Sequence, residues 1–191
     1  MSTPTMAVAR ADRAAEVATW LTLASLTMFL ASLFSGYVLL RVGSEAWPTP
    51  WIRGGVGRLD DPWLRLASLT VAAVAGVVAT RTVPPGPARV ARWPLPTAAF
   101  AGALFAGRTI TAGQALVAAG HGPASHVAPA TWFALNGVLA ALAAAAVAAT
   151  IVVNLGTWEV AVRRRRSRVI ARCWALLAVA FAVVAVGMYL V

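Results

Sequence analysis

From Val17 to Leu40 the chain runs for twenty-four residues without a charged side chain. At about 1.5 Å of rise per residue, a helix of that length crosses a hydrocarbon core of roughly 30 Å. Trp20 stands near one end of the run, and Tyr37 and Arg41 stand near the other. These residue types anchor a span at the two water–lipid interfaces. Inside the run, Ser32 and Gly36 form a small-xxx-small pair, as do Ala31 and Ser35, and such pairs let a neighbouring helix approach closely in lipid. The apolar core is also longer than that of a signal peptide. The stretch reads as a transmembrane helix with a packing face.

The remainder of the chain repeats the pattern. A sequence of 191 residues that is 60% hydrophobic and only 12% charged is not an ordinary soluble domain. Its apolar runs place five spans at about 17–40, 63–80, 95–119, 128–155 and 169–191. The expected fold is an all-α membrane protein, with residues 1–16 as a short polar tail and 17–191 as a five-helix transmembrane domain. All sixteen basic residues are arginine, and the net charge is +10. The arginines collect between apolar spans instead of forming a folded basic face, so nucleic acid is not an expected partner. Eleven lie on one side of the spans: Arg10 and Arg13, then Arg81, Arg89 and Arg92, then Arg163 to Arg166, Arg168 and Arg172. Arg41, Arg53, Arg58 and Arg65 lie on the other. The positive-inside rule then puts the N-terminus in the cytoplasm and the C-terminus outside, as five spans require. Cys173 is the only cysteine, which excludes an intrachain disulfide.

Within this frame a few residues stand out. In the outer loop over 42–62, Trp47 and Trp51 are four apart and suit either the membrane surface or a partner chain. Asp60 and Asp61 precede the second span and are expected to cap it. Ala72, Gly76 and Thr80 form a close-packing ridge on that span, and Pro84, Pro85 and Pro87 stop it. Arg108 lies well inside the third span, about eleven residues or roughly 16 Å from its outer end. A central arginine costs about 2.5–3.5 kcal/mol on insertion scales, and no aspartate or glutamate lies in any span. Two roles are open to it: snorkelling toward the interface, or pairing with an anion from a partner subunit or a lipid headgroup. Asn136, at a similar depth on the fourth span, is the expected neutral partner. His121 and His126 share the loop over 120–127 with no cysteine or carboxylate beside them, so no metal site is expected. The run RRRRSR at 163–168 serves topology and attracts anionic lipid, at about 1 kcal/mol per arginine.

Trp20, Leu23, Ala24, Ser25, Ala31, Phe34, Tyr37 and Arg41, followed by Trp47-Pro48, make a pattern that resembles the first helix of the five-helix form of haem–copper oxidase subunit III. Gly102, Phe105 and Gly107 in the third span, and Trp174, Val179, Tyr189 and Leu190 in the last, extend the likeness. The resemblance implies a non-catalytic accessory subunit of a respiratory oxidase, or of a related nitric oxide reductase, in a bacterial inner membrane. It also implies as partners membrane phospholipid, the catalytic subunit I that holds the haem and copper, and other oxidase subunits. The family's polar positions are altered here. Leu26 stands where a glutamate is usual, Leu139 and Leu142 where histidines are, Ala175 and Ala178 where a histidine and an aspartate are, and Phe181 where a tryptophan is.

Those substitutions remove the glutamate, the aspartate and the histidines that the resemblance would bring into a span. Haem ligation needs a buried histidine, methionine, cysteine or tyrosine, and no span contains a histidine. Neither a catalytic residue nor a cofactor is therefore expected in this chain. Its expected support of a catalytic subunit is by packing and lipid retention. The alternative is an unrelated membrane scaffold or assembly factor without redox chemistry. A transporter should show broken helices or an internal repeat, and neither is present. The topology is open to a direct test: a reporter fused after Val191 should be active only outside the cytoplasm, and a cytoplasmic signal there would refute five spans.

Overall fold

The computed structural model describes residues 3–44, 61–81 and 93–189, which form five helices. They are α1 (Thr3–Gly43), α2 (Pro62–Arg81), α3 (Pro94–Ala118), α4 (Val127–Leu155) and α5 (Val160–Tyr189). No strand occurs among the described residues. The expected loop tryptophans, Trp47 and Trp51, and most of the 81–92 connection lie outside these residues. All helices but α3 are long and apolar enough to cross a membrane by length and composition alone. The chain is an all-α, multi-pass membrane protein.

Two helices begin earlier than their apolar runs suggest. α1 starts at Thr3, because the stretch before Val17 is rich in alanine, the best helix former, and carries its proline in the first turn. α5 starts at Val160 and runs straight through the arginines at 163–168, which shortens the expected 155–172 loop to a connection over 156–159. Arginine is itself a good helix former, and neither glycine nor proline interrupts the chain until Gly187. α1 is thus about 61 Å long by helical rise, roughly twice the hydrocarbon thickness. Helix ends are satisfied locally. The Asp61 carboxylate accepts from the backbone N–H groups of Trp63 and Leu64, both at 3.1 Å, as capping requires. Beyond α3, Gly120 takes φ +83°, while its N–H and that of His121 reach back to Val117 and Leu116. That left-handed position favours glycine.

The four helices α2 to α5 form the packed body. α2 packs against α3 and α5, α4 packs against α3 and α5, and α1 touches only the outer sides of α4 and α5 to any extent. Burial follows the same division: 39% of the spanning window is buried in α2 and in α5, but only 11% in α1. The helix that most clearly announces a membrane protein is therefore the least packed one. Ser32 is exposed, and nothing lies within 4 Å of where a side chain at Gly36 would project, so this pair meets no helix of its own chain. α3 falls short of spanning apolarity because Arg108, Gln114 and three threonines dilute it. One face of it, from Leu95 to Leu116, is nevertheless buried against α2 and α4, which carry it through the same layer.

Trp174 of α5 is the wedge of this body. Its indole is fully buried, its ring fills the space where a Cβ on Gly102 of α3 would lie, and it also meets Gly76 of α2. Its Nε1 donates to Thr150 Oγ1 of α4 at 3.3 Å. One side chain thereby touches the other three helices of the ring. In lipid, where helices gain little from leaving an apolar solvent, this kind of close contact supplies the packing energy. Gly102→Val should therefore cost about 1–3 kcal/mol, since no Cβ fits under the indole. Gly36→Ala should leave the isolated chain as stable as before, or more so by up to ~1 kcal/mol. Thermal unfolding followed by circular dichroism in mild detergent checks both.

Candidate functional site

Arg65 sits one turn into α2, in register with Ser68, Leu69, Ala72, Gly76 and Ala79, the stripe that α2 buries. Helical periodicity leaves it no outward path, and it is 1% exposed. Its guanidinium reaches every other helix of the ring. Nη1 donates to Asn136 Oδ1 of α4 at 2.8 Å and lies 3.5 Å from Thr109 Oγ1 of α3. Nη2 donates to the Tyr189 hydroxyl of α5 at 3.0 Å. The guanidinium carbon stands 4.9 Å from the centre of the Phe181 ring and 5.7 Å from that of Trp132.

The groups around Arg65 are themselves fixed. Trp132 Nε1 donates to the same Tyr189 hydroxyl at 2.9 Å. The Asn136 amide donates to the Trp132 carbonyl at 3.0 Å, which aims its oxygen at Arg65. Thr109 Oγ1 donates to the Phe105 carbonyl at 2.9 Å, and Phe105 packs edge-on against Phe181, with ring centres 5.1 Å apart. Asn136 and Thr109 each lie about 14 Å along their helices from the α3–α4 connection, whereas Arg65 stands one turn from the start of α2 and Tyr189 ends α5. Against an insertion cost of about 2.5–3.5 kcal/mol, a hydrogen bond from a charged donor contributes about 1.5–3 kcal/mol. Two such bonds and two aromatic faces are enough to hold it there. The arrangement is a lock that joins all four helices of the ring through one guanidinium.

This corrects the expectation for Arg108. Asn136 is completely buried and serves Arg65, whereas Arg108 is exposed on the outer face of α3. Among the described residues, no hydrogen bond or ion pair reaches the Arg108 guanidinium. The α3 residue that does turn inward at this level is Thr109, about 100° further round the helix. Arg65, one of the arginines whose distribution sets the expected topology, is the cation that this bundle encloses. The register of Arg65 with Leu69, Ala72 and Gly76 was the signal in the sequence that could have found it.

A second polar contact ties α1 to α5. The last carbonyls of a helix lack intrahelical partners, and the Gly187 carbonyl is one of them. It accepts from the Tyr37 hydroxyl at 2.9 Å and from Arg41 Nη1 at 2.7 Å, while Arg41 Nη1 also donates to Tyr37 at 2.7 Å. A cation at this end of α5 also suits its helix dipole. At the arginine-rich end, Arg172 stacks 4.5 Å from the Trp20 ring centre and lies 3.8 Å from Glu16. Between these two pins a cavity of about 340 Å³ separates α1 from α4 and α5, lined by residues such as Thr27, Ala31, Phe34, Ser35, Leu139 and Val183. An open apolar groove of about 720 Å³ lies between α3 and α4, over Gly113, Phe133, Gly137 and Ala141.

The other expected positions fall as follows. His126 caps α4 through its side chain, and His121 lies in the turn after α3. Among the described residues, no three of His, Cys, Asp and Glu gather as a metal site would need. Leu139 and Phe181 are buried, Leu26, Leu142 and Ala178 are partly so, and Ala175 is exposed. A scan of the sequence against protein-family models finds no match, and a search of the curated proteins finds none either.

The two arginines should behave oppositely in the isolated chain. Asn136→Leu should destabilise it by about 1–3 kcal/mol, the cost of leaving a buried donor without its acceptor. Arg108→Leu should change stability by no more than about 0.5 kcal/mol, as expected of an exposed site. Unfolding of both variants in one detergent gives the comparison.

Proposed function

We propose that the chain is a non-catalytic, subunit III-like accessory subunit of a respiratory haem–copper oxidase or a related nitric oxide reductase, in a bacterial inner membrane. The observation that carries the reading is the role of the residues behind the resemblance. Tyr37 and Arg41 of the first helix dock on the last one, Trp174 wedges the ring, and Tyr189 closes the Arg65 lock. A likeness confined to scattered apolar residues would not concentrate on the contacts that hold the bundle together.

The work proposed for this subunit is mechanical. Haem and copper belong to the catalytic partner, and the donor set of this chain does not fit them: its histidines lie outside the helices, one of them engaged as a cap. Support comes instead from helix faces left uncovered and from the cavity beside α1, whose mostly apolar lining suits an acyl chain. The altered family positions, Leu26, Leu139, Leu142, Ala175 and Ala178, carry no proton and take no part in proton supply. A scaffold or assembly factor would use the same packing surfaces, and stoichiometry separates the two.

Extraction of the tagged chain from its native membrane in mild detergent tests the proposal. A haem Soret band at a fixed ratio to the chain is the expected result. A haem-free preparation, or one with only a trace of haem-bearing subunits, would instead favour the scaffold.

A further inference from the structure

Arg108 lies about 15 Å by helical rise from the Ala118 end of α3 and about 21 Å from the Pro94 end. Its own bundle turns it outward: the residue is exposed, and the amide at its depth is engaged by Arg65. Beside it, Ala103, Gly107 and Thr111 are exposed at four-residue spacing, so a helix can approach closely along this face. A fixed positive charge on such a face asks for a negative one at the same level.

The chain cannot supply that charge to itself or to a second copy. Its six acidic residues are Asp12, Glu16, Glu45, Asp60, Asp61 and Glu159. Asp12 and Glu16 lie in the alanine-rich extension of α1, Asp61 and Glu159 directly before α2 and α5, and Glu45 and Asp60 fall between α1 and α2 in the sequence, so none of those in the described residues is at the depth of Arg108. A symmetric contact through this face would also set one Arg108 against another. We propose that the exposed face of α3 docks a single transmembrane helix of a different protein, and that this helix carries an aspartate or glutamate within its span to pair with Arg108. The inference rests on the accessory-subunit reading for the existence of a partner, and it adds the chemistry of the partner's contact helix. An enclosed carboxylate–guanidinium pair in lipid is strongly coupled, because removing either charge leaves the other buried and unpaired.

The test uses the tagged full-length chain in its native membrane. A benzophenone amino acid replaces Leu104 or Thr111, which flank Arg108 on the exposed side. The expected adduct at both positions is with one other protein, and the cross-linked peptide should be a transmembrane segment containing an aspartate or glutamate within about a turn of the cross-link. At equal membrane levels of the chain, Arg108→Leu should lower the co-purified partner by at least about tenfold. Arg108→Lys should retain part of it, and Arg108→Glu combined with arginine at the partner's carboxylate should restore it. The proposal is overturned by adducts with a second copy, with phospholipid alone, or with a segment lacking a carboxylate. It is equally overturned if Arg108→Leu leaves partner yield unchanged. Should Arg108→Leu fail to accumulate, the cross-linking arm in the otherwise native chain and the lysine variant still decide the question. An acidic partner helix from a haem-free protein would uphold this inference and sink the oxidase reading. Undiminished haem-bearing partner with Arg108→Leu would do the reverse.

Discussion

A guanidinium enclosed at depth constrains a helical bundle more than any apolar contact does. Leucine or valine can turn through a wide arc in lipid and lose little, since the lipid is as apolar as a neighbouring helix. Arg65 has no such freedom. Its bonds to Asn136 and Tyr189, the approach of Thr109 and the rings of Trp132 and Phe181 fix the rotation of α3, α4 and α5 relative to α2. Trp174 fixes the same four helices again, about 22 Å further along α5. Two pins at different levels set both the rotation and the crossing of the helices, and the alanine-rich surfaces between them then pack without choosing a register of their own.

How much of this was legible in the sequence depends on what hydropathy can report. Apolar length gave the number of helices and nearly all of their positions, because crossing the hydrocarbon is a condition on each helix separately. Packing partners are a condition on helix rotation, and a count of apolar residues contains no rotation. Arg108 and Arg65 show the difference. Both lie in apolar surroundings, and depth alone singled out Arg108. Register singles out Arg65, which shares a face with Leu69, Ala72 and Gly76, whereas Arg108 sits one residue off the stripe that runs through Phe105, Thr109 and Ala112. The assignment of Asn136 to Arg108 failed for this reason: equal depth places two residues at one level but not on facing sides. The helix starts at Thr3 and Val160 were hidden for a related reason, since alanine and arginine continue a helix into water as readily as in lipid.

The peripheral place of α1 follows from the same physics. Its charge-free run makes insertion certain and says nothing about attachment, because an apolar helix is already at home in lipid. Polar contacts fix the two ends of α1, Tyr37 and Arg41 on the Gly187 carbonyl at one and Trp20 and Glu16 on Arg172 at the other, while Leu30, Leu33 and Phe34 pack on the core between them. Between them the helices part around an apolar cavity.

That division bears on the kind of protein this is. A membrane enzyme or transporter gathers its polar atoms around a central path, where they meet substrate. Here several deep polar side chains of the described helices join one helix to another: Arg65 with Asn136, Thr109 and Tyr189, and Thr150 with Trp174. Other polar and small residues lie away from the ring, with Ser32 and Gly36 on α1 and Arg108 with Ala103, Gly107 and Thr111 on α3. Polar side chains of the described helices thus do two separate things: some join the ring from within, and others mark faces of α1 and α3 that no helix of this chain covers.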